Sequence, residues 1–255
     1  MRAQAMERVK APAGTAAGVA AVVGAAALVV ATVWFALADK GVTVSSPPQA
    51  APDASPDDAL RSYYHWFVTT LVQERWYTVI AMLGFLGVAA AAGVARGLFT
   101  SGHGLTSGHG PTSGHVARIG GGLVGAGAVA WIATEVGRLG GHGAVGQMAT
   151  HANPIETVNS IAYTVDMISY AFLAAAFALI GAGLLMLASA GWRELSGQRA
   201  WVGCTALAGA LGLAIAVAFA DGAGDLTDVL EFAGGIVVLP LWLLWTGRVA
   251  RVTPR

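Results

Sequence analysis

Six long apolar runs divide this chain, and most reach the length of about 20 residues that a helix needs to cross the hydrocarbon core of a membrane. Hydrophobic residues make up 56% of the chain and charged residues only 11%. A water-soluble protein of this size could not cover so much apolar surface. The sequence therefore predicts an all-α polytopic membrane protein, a single-domain bundle of transmembrane helices with spans at about 14–37, 76–95, 119–137, 163–190, 201–220 and 229–247.

The Lys and Arg residues fall mostly on one side of the predicted spans. If both termini are cytoplasmic, the inner segments contain the acids Glu7 and Glu194 and the cations Arg2, Arg8, Lys10, Arg96, Arg118, Arg193, Arg199, Arg248, Arg251 and Arg255. Most of the other acids then lie in the outer segments. An excess of cations on the cytoplasmic side is the positive-inside rule. The pattern predicts a multi-pass protein of the cell membrane with both termini in the cytoplasm.

Composition also bears on partners and origin. The formal net charge is +0, so overall charge gives no reason to expect a nucleic acid, and the lipid bilayer is the expected partner. We predict no cofactor. The abundance of Ala, Gly, Val and Arg beside very little Lys favours a GC-rich bacterial source. The N-terminal run also resembles a secretory signal ending at Ala38, but it is longer than the usual apolar core of about 7–15 residues, which favours an uncleaved anchor.

The segment between the first two spans divides into two parts. Residues 38–55 are rich in Pro, Ala and Ser and predict an outer linker. Ser55, Pro56 and two aspartates then form a helix start, and apolar residues follow at helical spacing. We expect a short amphipathic helix at 56–74 that lies at the outer interface, either as an anchor or as a lid or docking element.

The inner loop at 98–117 is a low-complexity segment in which His103, His109 and His115 recur every six residues. Histidine-rich tracts can bind metal ions. The many glycines leave nothing preorganised, however, and short repeats in loops are usually tolerated expansions. We interpret the repeat as a linker.

Polar residues gather at the outer ends of the third, fourth and sixth spans. The fourth helix is expected to begin near Pro154, through a capping-box-like start with Asn153 and Glu156. Asp228 lies at the same level on the sixth helix. The candidate ligand-pocket residues are Glu135, Arg138, Asn159, Tyr163, Asp166, Tyr170 and Glu231. Those of the fourth helix recur at spacings that place them on one face. We expect Arg138 to pair with Asp166 or Glu156.

Three interpretations of this polar cluster remain open. It can be a structural network that closes the bundle, or a pocket for a polar ligand or ion. It can also be a metal centre of a membrane-embedded hydrolase, for which His142 and His151 are weak candidate ligands. We expect an integral membrane protein without enzymatic activity, with a small-solute or ion transporter as the alternative and the hydrolase as a second one. Few ionisable groups lie at mid-membrane depth, which disfavours ion-coupled transport.

Two further features concern helix packing. Gly121 and Gly125 form a small-residue face on the third span, which indicates packing within the bundle or a homo-oligomer contact. Pro240 lies inside the sixth span and is expected to kink it.

Overall fold

The computed structural model describes residues 2–39, 49, 53–100, 113–151, 153–222 and 224–252. Its helices are α1 (Arg2–Asp39), α2 (Pro56–Thr100), α3 (Ser113–Thr150), α4 (Ile155–Glu194), α5 (Arg199–Asp221), α6 (Gly224–Ala233) and α7 (Leu239–Val252). A 3₁₀ turn at Ser196–Gln198 precedes α5, and a π-helical turn at Gly234–Val238 joins α6 to α7. Most of the predicted outer linker, and residues 101–112 of the inner loop, lie outside the described residues.

The chain is a multi-pass membrane protein. Among the residues that the structure describes, six helical stretches are long and apolar enough to cross a membrane, namely Ala16–Ala38, Arg75–Phe99, Ser113–Thr150, Ile155–Glu194, Arg199–Asp221 and Leu226–Arg251. The predicted all-α fold with six spans is therefore confirmed. The sixth stretch comprises α6, the π-helical turn and most of α7.

The helices form a closed ring. From α1 to α6 each helix packs against the next one in sequence, and α1 also packs against α7. The largest fully buried side chains include Trp201, Leu184, Trp242 and Leu243. The Trp201 indole nitrogen donates a hydrogen bond to the Thr246 hydroxyl at 3.0 Å, which joins α5 to α7 inside the core. Apolar side chains thus fill the end of the ring that carries the turn between α4 and α5.

Glycines set the spacing between several helices. A Cβ atom added at Gly24 of α1 would lie 2.8 Å from the Cα atom of Gly87 in α2, so these backbones are nearly in contact. The two glycines of the predicted small-residue face, Gly121 and Gly125, have different surroundings. Gly121 is buried against Ala92 and Arg96 of α2, whereas nothing lies within 4 Å of a Cβ at Gly125. Gly121 therefore packs within the chain.

Three helices continue well beyond the thickness of a membrane at the end of the ring that carries the α3–α4 turn, which we call the extended end. Helix α2 has 45 residues, which gives a length of about 67 Å against a hydrocarbon core of about 30 Å. The overhanging parts of α2, α3 and α4 share a small separate core of Tyr64, Val145, Ala149, Ile155 and Val158. The extended end is thus a packed three-helix unit.

The extended end corrects two predictions. The separate interfacial helix expected at 56–74 is not confirmed, because these residues continue into the second span as the single helix α2. The third span, predicted to end at residue 137, continues as α3 to Thr150, so the Gly-rich segment after Arg138 is helical. Its small residues let α3 approach its neighbours closely: a Cβ at Gly146 would meet the side chain of Val68 in α2.

The starts of α2 and α4 lie where the sequence predicted them. The start of α4 lacks the side-chain cap that was expected. Ser55 caps α2, since its hydroxyl accepts the Asp58 backbone N–H at 3.2 Å and donates to the Asp58 carboxylate at 2.7 Å. Helix α4 begins at Ile155 as expected, but Pro154 occupies the cap position with no side-chain cap hydrogen bond. Asn153 instead donates through Nδ2 to the Met148 carbonyl at 2.8 Å, so it fastens the turn to α3.

The sixth span accommodates Pro240 through the π-helical turn. A proline has no N–H and its ring crowds the preceding turn, which in an α-helix leaves a carbonyl without its donor. Here the turn before Pro240 is wider, and the Leu239 N–H bonds to the Gly234 carbonyl in the i to i–5 pattern. π-helical turns of this kind often occur at functional sites in proteins.

Candidate functional site

A cavity with two chambers lies in the centre of the ring, towards the extended end. The polar chamber has a volume of about 350 Å³ and is lined by Phe35, Tyr77, Trp131, Glu135, Arg138, Tyr170, Leu173, Ala218, Phe219, Gly222, Thr227, Asp228 and Glu231. The apolar chamber has a volume of about 310 Å³ and is lined by Leu28, Ala31, Thr32, Phe35, Ala36, Tyr77, Ala81, Phe85, Trp131, Phe177, Ile215, Asp228, Val229, Glu231, Phe232, Gly234, Gly235 and Leu239.

The two chambers are adjacent because they share part of their walls. Phe35, Tyr77, Trp131, Asp228 and Glu231 line both. Every helix of the ring contributes at least one lining residue. The cavity therefore combines a charged region with an apolar region, which is the arrangement that small-molecule sites usually show.

The polar chamber is lined by more acidic than basic side chains. Its acidic and basic lining residues are Glu135, Asp228, Glu231 and Arg138. Arg138 donates to the Glu135 carboxylate through Nε at 3.2 Å and Nη2 at 2.9 Å. The Glu135 side chain is only 5% exposed, so this pair is held inside the bundle.

Glu231 is the polar residue at the junction of the two chambers. It is half-buried, and it makes no hydrogen bond or ion pair with any other residue that the structure describes. The charges that act on it belong to Glu135, Asp228 and Arg138. A partly buried carboxylate with no direct partner is costly, because its desolvation is not offset by a bond. It is therefore available to a ligand.

Aromatic rings line the cavity from the polar to the apolar chamber. Tyr170 lies 5.9 Å from Phe219, which stacks on Phe177 at 6.0 Å. Phe177 contacts Phe85 edge-on at 6.2 Å, and Phe85 stacks on Trp131 at 4.0 Å between ring centroids. These rings give the cavity a wall that suits flat or cationic groups.

A separate groove lies at the extended end, between α2 and α4 with α3 as its floor. Its volume is about 660 Å³, and its lining residues are Tyr63, Tyr64, Phe67, His142, Val145, Asn159, Ser160, Ala162, Tyr163, Thr164 and Asp166. We call it the outer groove. It shares none of these residues with the two chambers, so it is a second concave surface.

Two hydrogen bonds fix the walls of the outer groove. The Tyr64 hydroxyl donates to Asn159 Oδ1 at 3.1 Å, which joins α2 to α4. Burial, with the nearby Tyr63 and Asp166, raises the pKa of the Tyr64 phenol, so this donor keeps its proton throughout the neutral range. His142 Nε2 lies 2.8 Å from Asp166 Oδ1 and joins α3 to α4.

The observed ion pairs correct the expected pairing of Arg138 with Asp166 or Glu156. Arg138 binds Glu135 on its own helix, one turn away. Asp166 forms its hydrogen bond with His142. The physical reason is the length of the helices, because α3 continues past Arg138 and brings His142 to the level of Asp166.

The two histidines considered as metal ligands do not come together. Because α3 is helical from Ser113 to Thr150, the nine residues between His142 and His151 correspond to about 13 Å along the axis and to opposite faces. His151 Nδ1 lies 2.7 Å from the Gln147 carbonyl oxygen. Within the described parts of the chain, no three His, Cys, Asp or Glu residues lie close enough to hold a metal ion.

The structure thus divides the predicted cluster into two sites. Glu135, Arg138, Tyr170 and Glu231 line the polar chamber. The remaining candidates, Asn159, Tyr163 and Asp166, line the outer groove. Apart from Tyr163 and Tyr170, sequence reasoning did not identify the aromatic lining of either site. The signal was visible as aromatic residues within apolar runs, but hydropathy alone does not distinguish a ring that lines a cavity from one that faces lipid.

No family model, curated protein or solved structure matches this chain.

Proposed function

We propose that this protein is a non-enzymatic membrane protein that binds a small amphipathic molecule in the two-chambered cavity. The observation that supports the proposal is the junction of the chambers at Glu231, where a carboxylate without a direct partner meets an aromatic wall. A ligand with a polar group and an apolar body would satisfy both chambers. Its polar group would lie near Glu231 and its body near Phe85 and Trp131.

We further propose that the protein lies in the cell membrane with both termini in the cytoplasm, so the extended end faces outward. The distribution of Lys and Arg between the connecting segments supports this orientation. The ligand then enters from the outer side, past Gly222 and Thr227 at the turn between α5 and α6. Below the cavity, the side chains of Val88, Leu184 and Leu243 are fully buried. This packing favours a binding protein over a transporter with a continuous path.

Two pairs of titratable side chains are engaged with one another. Glu135 is bonded to Arg138, and His142 is bonded to Asp166. A general base must reach the proton that it removes from the substrate. Glu231 has no direct partner, but no Ser, Cys or His is among the described residues that line the chambers with it, which supports a binding role over hydrolysis.

The test is the binding of 4-phenylbutanol, a compact molecule with an apolar body and a hydroxyl head, to the full-length protein in lipid nanodiscs. Equilibrium dialysis against empty nanodiscs corrects for partition into lipid. We expect saturable binding to a single site. Ala81 is 3% exposed and lines the apolar chamber, so Ala81→Phe should fill that space and abolish the saturable component.

The matched control is Val129→Phe, which adds a ring at a position of α3 that is 58% exposed. It should bind the alcohol as the unaltered protein does. Thermal unfolding of both variants checks that they remain folded. Binding that never saturates, or that persists in a folded Ala81→Phe variant, would overturn the proposal.

A further inference from the structure

The outer groove has one aromatic wall and one wall of hydrogen-bonding groups. We infer that it binds a short, neutral, β-linked oligosaccharide. This site goes beyond the proposed function, because the groove shares no lining residue with the two-chambered cavity. The position of the groove, the chemistry of its two walls and its charge support the inference.

The groove lies where a ligand dissolved in water can reach it. Its α2 wall contains Tyr63 and Phe67, which precede the predicted second span at 76–95. The nine residues from Phe67 to Trp76 correspond to about 13 Å along the helix axis. This part of α2 therefore stands beyond the membrane, and the ligand comes from water rather than from lipid.

The α2 wall is a strip of two nearly parallel rings. Tyr63 and Phe67 are one helical turn apart, with their ring centroids 6.2 Å apart and their planes 17° from parallel. The Tyr63 residue is 40% exposed. Apolar groups pack well on the face of an aromatic ring. A β-linked glucose unit presents axial C–H bonds on its faces, so a chain of such units suits this strip.

The α4 wall opposite the rings is a row of available hydrogen-bonding groups. Asn159 accepts from Tyr64 through Oδ1, and Asp166 meets His142 through Oδ1. Within the part of the chain that the structure describes, the Asn159 amide donors, Asp166 Oδ2 and the Tyr163 hydroxyl have no hydrogen-bond partner. The row thus offers donors and acceptors together. Sugar hydroxyls, which both donate and accept, match such a row.

The charge and length of the groove exclude other ligand classes. No Lys or Arg is among its described lining residues, and Asp166 disfavours phosphates and acidic sugars. A purely apolar ligand would cover the α4 groups without bonding them, which is costly. The row from Asn159 to Asp166 extends about 10 Å, more than the length of one sugar ring. The ligand class is therefore a neutral oligosaccharide.

The experiment uses two neutral β-linked trisaccharides, cellotriose and its N-acetylated counterpart chitotriose. Saturation-transfer-difference NMR is recorded with the full-length protein in nanodiscs of neutral lipid, and empty nanodiscs give the background. We expect at least one trisaccharide to bind saturably with a Kd of about 1 mM or below. The ring C–H protons of one sugar face should receive the strongest saturation, because they lie on the rings of α2.

Two variants test the two walls separately. Tyr63→Ala removes an exposed ring and should weaken binding by about threefold or more. Trp76→Ala is its matched control, since Trp76 is a 61% exposed ring of α2 that does not line the groove. Asn159→Asp keeps an acceptor for Tyr64 and removes the amide donors, so it should weaken binding by about fivefold or more. Thermal unfolding shows that each variant is folded.

Three results would overturn the inference. The first is the absence of saturable binding by either trisaccharide. The second is unchanged binding in folded Tyr63→Ala and Asn159→Asp variants, since the sugar would then bind elsewhere. The third is an equal loss in Trp76→Ala and Tyr63→Ala, because a ring outside the groove would then matter as much as one inside it.

Discussion

His142 Nε2 lies 2.8 Å from Asp166 Oδ1, and this contact joins the overhanging parts of α3 and α4. The imidazole is also held by the Phe67 ring of α2, whose centroid is 5.1 Å away in an edge-on arrangement. His142 therefore connects all three helices of the extended end. The Asp166 side chain is 38% exposed, so solvent weakens the bond relative to a fully buried one.

The first prediction concerns this pair. His142→Ala and Asp166→Ala should each lower the free energy of unfolding by about 1 kcal/mol, the usual net value of a partly exposed hydrogen bond. The double variant should lose less than the sum of the single losses, because either change removes the same bond. Chemical denaturation in detergent gives the three values. Strictly additive losses would show that the two side chains act independently.

The second prediction concerns Arg61, which closes the turn between α3 and α4. Its guanidinium donates to the Ala149 carbonyl at 3.3 Å and to the Asn153 carbonyl at 2.9 Å. Arg61→Ala should therefore raise hydrogen exchange of the backbone amides at 145–155 by about tenfold or more, since bonds to charged donors contribute about 1.5–3 kcal/mol. The adjacent and exposed Ser62→Ala is the control, and exchange equal in both variants would contradict the assignment.

The third prediction concerns glycine at the contact between α1 and α2. A Cβ at Gly87 would lie 2.6 Å from the Gly24 Cα, where neither backbone can yield easily. Gly87→Ala should thus destabilise the protein by about 1–3 kcal/mol, the cost of overpacking. Gly93→Ala on the same helix has open space around it and should instead stabilise by about 0.5–1 kcal/mol. Opposite signs in thermal unfolding are the expected result, and equal effects would refute the close approach.

The fourth prediction concerns the buried bond from Trp201 to Thr246, two residues that are both 0% exposed. Thr246→Val keeps the volume but removes the acceptor, so the indole N–H loses its partner at a cost of about 1–3 kcal/mol. Thr246→Ser keeps the hydroxyl and should retain most of that stability apart from the loss of one methyl group. Denaturation midpoints of the two variants give the comparison, and a valine variant as stable as the serine variant would contradict it.

Hydropathy was sufficient to predict the six spans, because a membrane demands long apolar helices and few other structures satisfy that demand. It was not sufficient to predict where α3 ends. Residues 138–150 are rich in Gly, which has weak helical preference, yet Val145 and Ala149 pack against Tyr64 and Ile155. Tertiary packing stabilises this helix, and no local signal reports it.

The sequence did not indicate that the candidate residues divide between two cavities. Periodicity correctly placed Asn159 and Tyr170 on one face of the fourth helix. That face extends over eleven residues, about 16 Å, so its two ends reach different cavities. Which helix meets each end depends on the overhang of α2 and α3, and the spacing within one helix contains no information about its neighbours.

The π-helical turn fixes the direction in which the acids of α6 point. Relative to an α-helix, such a turn contains one additional residue, and a single residue corresponds to about 100° of rotation about the axis. Deleting Val237, which lies within the turn at Gly234–Val238, would remove that additional residue and turn α6 by about 100° relative to α7. Asp228 and Glu231 would then swing away from the cavity while the sequence of α6 stayed the same. The direction in which the sixth span points its acids thus depends on the number of residues in one turn. It does not depend on which acids α6 carries.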